Sequence, residues 1–335
     1  MRICVVGAGA IGGLMAAKLS LAGNQVTVID QGAHLAAIQQ KGLKLIWEDG
    51  SEHLAELKAV GSAAEAGPQD LVILAVKAHF LDQVARDVET LLDKDTMIVT
   101  VQNGMPWWYF QQFKGPHAGT RLKSLDPSGI LTKHIPAERI VGCVVYPAAA
   151  VTEPGVVKHV EGDRFPVGEL DGSASERVQT LHDLFVEAGF RSRVLDDIRS
   201  EIWLKAWGNL SFNPISALTH ATLEDICTFP ETRKLAATMM AEAQVIGEKL
   251  GVTFRHTIEK RIEGAQSVGK HKTSMLQDVE AGRSLETEAL IGAILEMGSL
   301  VEAPSPAIEA VYACVKLLNK TMLMEHAGVT LKKAS

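Results

Sequence analysis

The sequence has little that would tie it to nucleic acid, a membrane or an oxidising compartment. Lys and Arg total 33 against 40 Asp and Glu, the formal net charge is −7, and no long basic run occurs, so a polyanionic partner is not expected. No apolar stretch reaches the roughly 18 residues of a membrane span, and the first residues read as a β run rather than a leader, so no membrane association and a cytoplasmic location are expected. The four cysteines, Cys4, Cys143, Cys227 and Cys314, are scattered, with no CxxC or Cys/His spacing. That excludes a disulfide framework and a metal site, and leaves buried thiols in a reducing compartment. Aromatics make up only 5% of the chain, which makes the crowding of Trp107, Trp108, Tyr109, Phe110 and Phe113 conspicuous. Such a cluster is either core packing or a wall of a substrate pocket, and composition does not choose between them.

What is present is enough apolar residue, 47% of 335, for two separate cores. The chain opens with an apolar strand, Ile3 to Val6, that runs into Gly7, Ala8, Gly9, Ala10, Ile11 and Gly12. A GxGxxG between a strand and a helix is a dinucleotide-binding turn. The first glycine makes the tight turn, the second lets backbone approach a pyrophosphate, and the third lets the helix sit close to the sheet. The free N–H groups of the helix start then face the phosphates. A second strand, Gln25 to Ile29, ends in Asp30, a position suited to bonding ribose hydroxyls.

Alternating β and helical patterns continue to about Ile198. Leu43 to Trp47 and Leu54 to Val60 read as a hairpin around Glu48 to Ser51, and Asp70 to Val76 and Met97 to Val101 read as buried parallel strands. Lys77 and Asn103 follow the last two at carboxyl ends, where ligands of open α/β sheets lie. Further strands are predicted over Ile140 to Val145, Val156 to Glu161, Phe165 to Gly168 and Arg191 to Leu195, with a helix at Ser175 to Ala188. Beyond Ile198 helical periodicity takes over, beginning with Arg199 to Phe212 and ending with Pro306 to Met322, and the tail from Thr330 to Ser335 is expected to fray. The fold class is therefore an α/β Rossmann-type N-terminal domain, residues 1–197, followed by an all-α C-terminal domain, residues 198–330.

The first of those later helices carries Lys205, Asn209 and Asn213 at four-residue intervals among apolar residues. On a helix they form one polar stripe, a row of donors suited to a small oxygen-rich ligand. An ammonium there can stabilise and protonate the oxygen of a ketone under hydride attack. The two carboxamides can bind carboxylate or hydroxyl groups without adding charge.

These motifs resemble the ketopantoate reductase (2-dehydropantoate 2-reductase) family over nearly the whole chain. The resemblance rests on GxGxxG, Val76-Lys77-Ala78, Gln102-Asn103-Gly104-Met105, the segment Glu201 to Pro214, and Ser274 to Asp278 with Glu286. It implies an NAD(P)-dependent oxidoreductase that transfers hydride to the ketone of a small 2-oxo acid, reducing ketopantoate to (R)-pantoate in pantothenate biosynthesis. It also implies a helical domain like the C-terminal domain of 6-phosphogluconate dehydrogenase. By the same resemblance Lys205 matches the general acid and Glu286 a carboxylate orienting cofactor or substrate. Asn103, Asn209, Asn213 and Ser274 match substrate contacts, and Lys77, Asn103, Glu286 and the Ala148 backbone match cofactor contacts. Glu286 lies twelve residues after Ser274, the separation the family uses, whereas spacing alone would not distinguish it from Glu288.

Two departures stand out. Gln31 occupies a position where NADP-preferring members commonly carry Arg, and Asp30 precedes it, so both NAD(H) and NADP(H) are open, with Lys77 or Lys44 as replacement cations. The aromatic insertion from Trp107 to Phe113 opens the alternative of a bulkier 2-oxo acid. A silent nicotinamide-binding protein is the reading from another class. Oligomeric state, monomer or homodimer, is not written in any heptad pattern.

Overall fold

The computed structural model describes residues 1–331 and divides into two compact units. The first takes in residues 1–102, 106–121 and 126–198, and the second residues 103–105, 122–125 and 199 onward. Part of the tail expected to fray, residues 332–335, lies outside the described residues.

In chain order the first unit contains β1 (Arg2–Val6), α1 (Ala10–Leu21), β2 (Gln25–Ile29), α2 (Gly32–Lys41), β3 (Leu43–Ile46), β4 (Glu52–Ala55), β5 (Lys58–Val60) and α3 (Ala63–Ala66). It continues with β6 (Leu71–Leu74), α4 (Leu81–Val88), β7 (Met97–Thr100), α5 (Ile130–His134), β8 (Ile140–Cys143), β9 (Ala148–Glu153), β10 (Val156–Glu161), β11 (Val167–Glu169) and α6 (Glu176–Glu187). The main sheet has the order β11-β8-β7-β6-β1-β2-β5, parallel except for β11 at its edge. Setting β11 aside, this is the Rossmann order, with its reversal point between β1 and β6. The register places Val6 opposite both Ile29 and Leu74, and Leu74 opposite Thr100, so the central strands end level. These strands are buried on both faces, which is why β1, β6 and β7 read as unbroken apolar runs.

A second sheet, β4-β3-β10-β9, lies on α1, where a side chain at Gly13 would come within 2.7 Å of Val157. The predicted hairpin is therefore real only as far as Ala55. Its second arm breaks, and Lys58–Val60 joins the main sheet beside β2. Arg191 and Val194 make isolated bridges rather than the strand predicted there, and β9 was not predicted at all.

The second unit is helical: α7 (Ile198–Thr219), α8 (Leu223–Thr228), α9 (Pro230–Lys249), α10 (Ile258–Ser267), α11 (Ser274–Glu280), α12 (Ala293–Leu300) and α13 (Pro306–Glu325), with a π-turn over Glu288–Gly292 leading into α12. Helix α7 was expected to stop at Phe212 and instead runs through Pro214. Proline there removes one helical hydrogen bond at a cost of about 3 kcal/mol. Burial of Phe212, Ile215 and Ala217, each at most 3% exposed, offsets it. No helix among the described residues is long and apolar enough to cross a membrane.

Candidate active site

The glycine-rich turn has the shape that dinucleotide binding needs. Gly7 sits at φ +94°, and a Cβ at Gly12 would lie 1.9 Å from the Gly7 carbonyl oxygen, so neither position admits another residue without rearrangement. A Cβ at Gly9 would meet nothing within 4 Å, which leaves open space before the start of α1. No side chain caps that helix start and no acidic residue occupies its first turn, so its N–H groups are available to an anion. Asp30 accepts from the Ala8 N–H at 2.7 Å and from the Gln31 N–H at 2.7 Å. Each oxygen keeps a lone pair for a ribose hydroxyl.

Beside this turn opens a cleft of about 310 Å³, lined among others by Gly7, Asp30, Gln31, Ser62, Val76 and Asp87. Its lining has two carboxylates, Asp30 and Asp87, and no Lys, Arg or His. Lys44, one of the two cations considered as a replacement for arginine, is instead paired with Glu52 at 2.9 Å within the second sheet. Lys77 follows β6 at the carboxyl edge but is not among the lining residues. Gln102 fixes that edge by donating to the carbonyls of Leu74 and Val76, both at 2.8 Å. Ala148 begins β9 and is half-buried.

The aromatic cluster is buried core, one of the two alternatives its sequence left open. Trp107, Trp108, Tyr109 and Phe110 are at most 3% exposed, and Trp108 donates to Thr100 Oγ1 at 3.0 Å. Phe113 packs edge-on against Phe110.

In the helical unit, every residue of α7 from Glu201 to Ala217 is buried except Lys205 and Asn209, which are half-buried. Asn213 is 7% exposed. Lys205 Nζ donates to Asn103 Oδ1 at 2.6 Å, and both residues belong to this unit. Asn103 is held by the turn that follows it: the Met105 N–H donates to the Ala289 carbonyl at 2.8 Å, and Gly104 lies so close that a Cβ would be 2.2 Å from the same oxygen. Ala289 belongs to the π-turn, an irregularity often found at functional sites. Glu286 precedes this turn, half-buried, and its carbonyl accepts from the Leu290 N–H. Ser274 is the exposed first residue of α11, whose start is capped by Thr273.

Glu288, which spacing alone left level with Glu286, is committed elsewhere. It accepts from the Tyr312 hydroxyl at 2.7 Å and pairs with Lys316 at 3.0 Å. Burial, reinforced by Glu288, pushes the Tyr312 phenol up, and hydrogen bonds to Tyr312 and Glu288 push the Lys316 ammonium up. Sequence reasoning gave no role to two charged groups, one on α7 and one against it. Buried Glu201, one turn before Lys205, pairs with Arg255 at 2.6 Å, and the Arg261 guanidinium occupies the space that a side chain at Gly208 would fill. Gly208 is the one local signal that a bulky group crosses the helix there.

Among the described residues no cluster of His, Cys, Asp and Glu is arranged to hold a metal ion. The Rossmann order, the glycine cradle and the half-open lysine stripe mark out a class, oxidoreductases acting on CH–OH groups. Comparison with known proteins narrows it. The family profile "Ketopantoate reductase PanE/ApbA" matches residues 3–107, and its C-terminal counterpart matches residues 197–319. A 2-dehydropantoate 2-reductase from Mesorhizobium japonicum is 53% identical over 319 residues, covering 95% of this chain and 98% of the relative. A Ralstonia solanacearum structure solved as a candidate ketopantoate reductase superposes with TM-score 0.92 at 40% identity, covering 96% of this chain and 98% of the other. A 2-dehydropantoate 2-reductase structure from Methylococcus capsulatus gives 0.81 at 27%, with 96% and 98% covered. The chain belongs to the ketopantoate reductase family.

Proposed function

We propose that the protein reduces 2-dehydropantoate to (R)-pantoate with a reduced nicotinamide dinucleotide, with Lys205 as the general acid. The observation that carries this reading is the Lys205–Asn103 hydrogen bond at 2.6 Å, made by one of the two half-open residues on an otherwise buried stretch of α7. Asn103 accepts from the ammonium and holds it at a fixed point. The residues of the glycine turn fit a dinucleotide, since the space before Gly9 is open and the start of α1 is uncapped. When bound, the cofactor supplies the hydride. Lys205 stabilises the charge that builds on the ketone oxygen and then delivers a proton to it, so hydride and proton together give the secondary alcohol. Asn209, Asn213 and Ser274 hold the carboxylate and hydroxyl of the substrate, and Glu286 orients the reacting groups.

The adenosine end favours NADH. A 2′-phosphate in the cleft would face Asp30 and Asp87 with no cation in the lining, whereas ribose hydroxyls can donate to Asp30. With the aromatic cluster buried, the argument for a bulkier substrate loses its support. The test is oxidation of NADH and of NADPH measured with ketopantoate and a panel of other 2-oxo acids. Ketopantoate is expected to give the highest kcat/KM, with NADH preferred. Absence of turnover with every 2-oxo acid would remove the reading, and a hundredfold preference for NADPH would remove its cofactor half.

A further inference from the structure

We infer that His34 is a positioning residue for the phosphate-binding turn, a role that rests on the dinucleotide reading above. Ala8 is held through both of its backbone polar atoms. Its N–H donates to Asp30, and its carbonyl oxygen lies 2.8 Å from His34 Nε2. The other ring nitrogen, Nδ1, accepts from the Gly155 N–H at 3.0 Å. Because Nδ1 accepts, the proton of the neutral ring sits on Nε2 and is donated to Ala8. The turn between β9 and β10 therefore selects the tautomer that grips the glycine-rich turn.

That β9–β10 turn is itself firmly placed. Gly155, at φ +80°, presses on α2 so closely that a Cβ would come within 3.0 Å of the Ala37 methyl, and its carbonyl accepts from the Lys44 N–H at 2.9 Å. A chain of fixed contacts thus runs from the second sheet through His34 to Ala8, the residue before Gly9. Gly9 is the cap residue just before α1 and faces open space. With Ala8 clamped on one side by Asp30 and on the other by His34, the first N–H groups of α1 keep one direction before any phosphate arrives. Preorganisation of this kind appears as cofactor affinity rather than as turnover. It also couples the two ends of the recognition: Asp30, offered to the ribose, is bonded to the residue that His34 holds.

Three variants separate this role from simple support of the fold. In His34→Gln the amide nitrogen can still reach the Ala8 carbonyl but nothing accepts from Gly155. In His34→Asn the amide oxygen can accept from Gly155 but nothing reaches Ala8. His34→Ala loses both. Calorimetric titration of the purified protein with NADH and NADPH should give a Kd within about twofold of the parent for the glutamine variant. The asparagine and alanine variants should weaken it about five- to tenfold, the worth of one hydrogen bond. The kcat at saturating cofactor should stay unchanged in all three. The inference is overturned if asparagine preserves affinity and glutamine does not, if all three weaken equally, if none weakens, or if the loss falls on kcat. If the parent protein binds neither nucleotide, the dinucleotide reading itself has failed and this role falls with it.

Discussion

Replacing Asn103 by alanine isolates what this acceptor contributes to the lysine. The ammonium of Lys205 donates to Asn103 Oδ1 at 2.6 Å, a short charge-assisted bond between two half-buried residues. Bonds to a charged group contribute roughly 1.5–3 kcal/mol, and partial exposure to water places this one at the lower end. About 1.5 kcal/mol is about tenfold in rate if the bond fixes the ammonium for proton delivery. Loss of the acceptor also disfavours the charged form, so the pH at which kcat falls on the alkaline side should move down. Asn103→Asp supplies an anionic acceptor instead and should move the same limb up. The assay is steady-state kcat against pH with saturating cofactor and ketopantoate, on Asn103→Ala, Asn103→Asp and the parent chain. An Asn103→Ala enzyme with parental kcat and an unmoved alkaline limb would refute the reasoning, because the ammonium would then owe neither place nor protonation to Asn103.

Lys205→Ala should lower turnover by roughly two to four orders of magnitude with little change in cofactor affinity, measured by stopped-flow single turnover and nucleotide titration. Glu288→Gln should cost no more than about 1 kcal/mol in thermal melts, since its pairing with Lys316 is solvent-screened, and should leave kcat alone, whereas Glu286→Gln should lower kcat. The opposite pattern would exchange the roles of the two carboxylates. Burial pushes the Cys4 thiol up to about 12 and raises that of Cys227, while Cys314 is exposed on α13. A maleimide or disulfide reagent at neutral pH should therefore label one thiol quickly in the native protein and all four after denaturation. The exposure of Cys314 corrects the expectation that every thiol is buried.

What the sequence made legible was whatever is decided within a few residues. Gly7 and Gly12 meet each other across one turn, so their spacing carries the whole constraint, and β1, β6 and β7 declare themselves by being apolar on both faces. The stripe of Lys205, Asn209 and Asn213 was readable because four-residue spacing and its apolar surroundings lie on one helix. What escaped depends on partners far along the chain. Asn103 and Lys205 are 102 residues apart, and nothing at either position announces that one accepts from the other. His34 looks like an ordinary helix residue until Gly155, 121 residues later, is placed against it. Helix α7 was expected to stop at Phe212, and the burial that carries it on through Pro214 is tertiary. The aromatic cluster stayed undecided for a related reason: a crowd of large side chains is equally consistent with core and pocket until burial is known.

The π-turn connects these distant parts within the helical unit and leads to a test that leaves Lys205 and Asn103 intact. Gly104 has φ +83°, and its missing Cβ would sit 2.2 Å from the Ala289 carbonyl oxygen and 3.0 Å from the Leu290 nitrogen, both backbone atoms of that turn. Gly104→Ala therefore meets two penalties: a left-handed conformation disfavoured by about 1 kcal/mol or more, and an overlap that no side-chain rotation can relieve. The segment of residues 103–105 must lift by about an ångström to restore an ordinary contact, which stretches the Met105–Ala289 hydrogen bond and carries Asn103 away from the ammonium. Displacements of that size around a reacting group cost about a hundredfold in rate. Gly104→Ala should thus resemble Asn103→Ala in the direction of its kcat and pH effects and exceed it in size, while nucleotide affinity at the glycine-rich turn of the other unit stays as it was. A variant that melts earlier yet turns over normally would show that the 103–105 turn supports the fold and that the lysine finds its place without it.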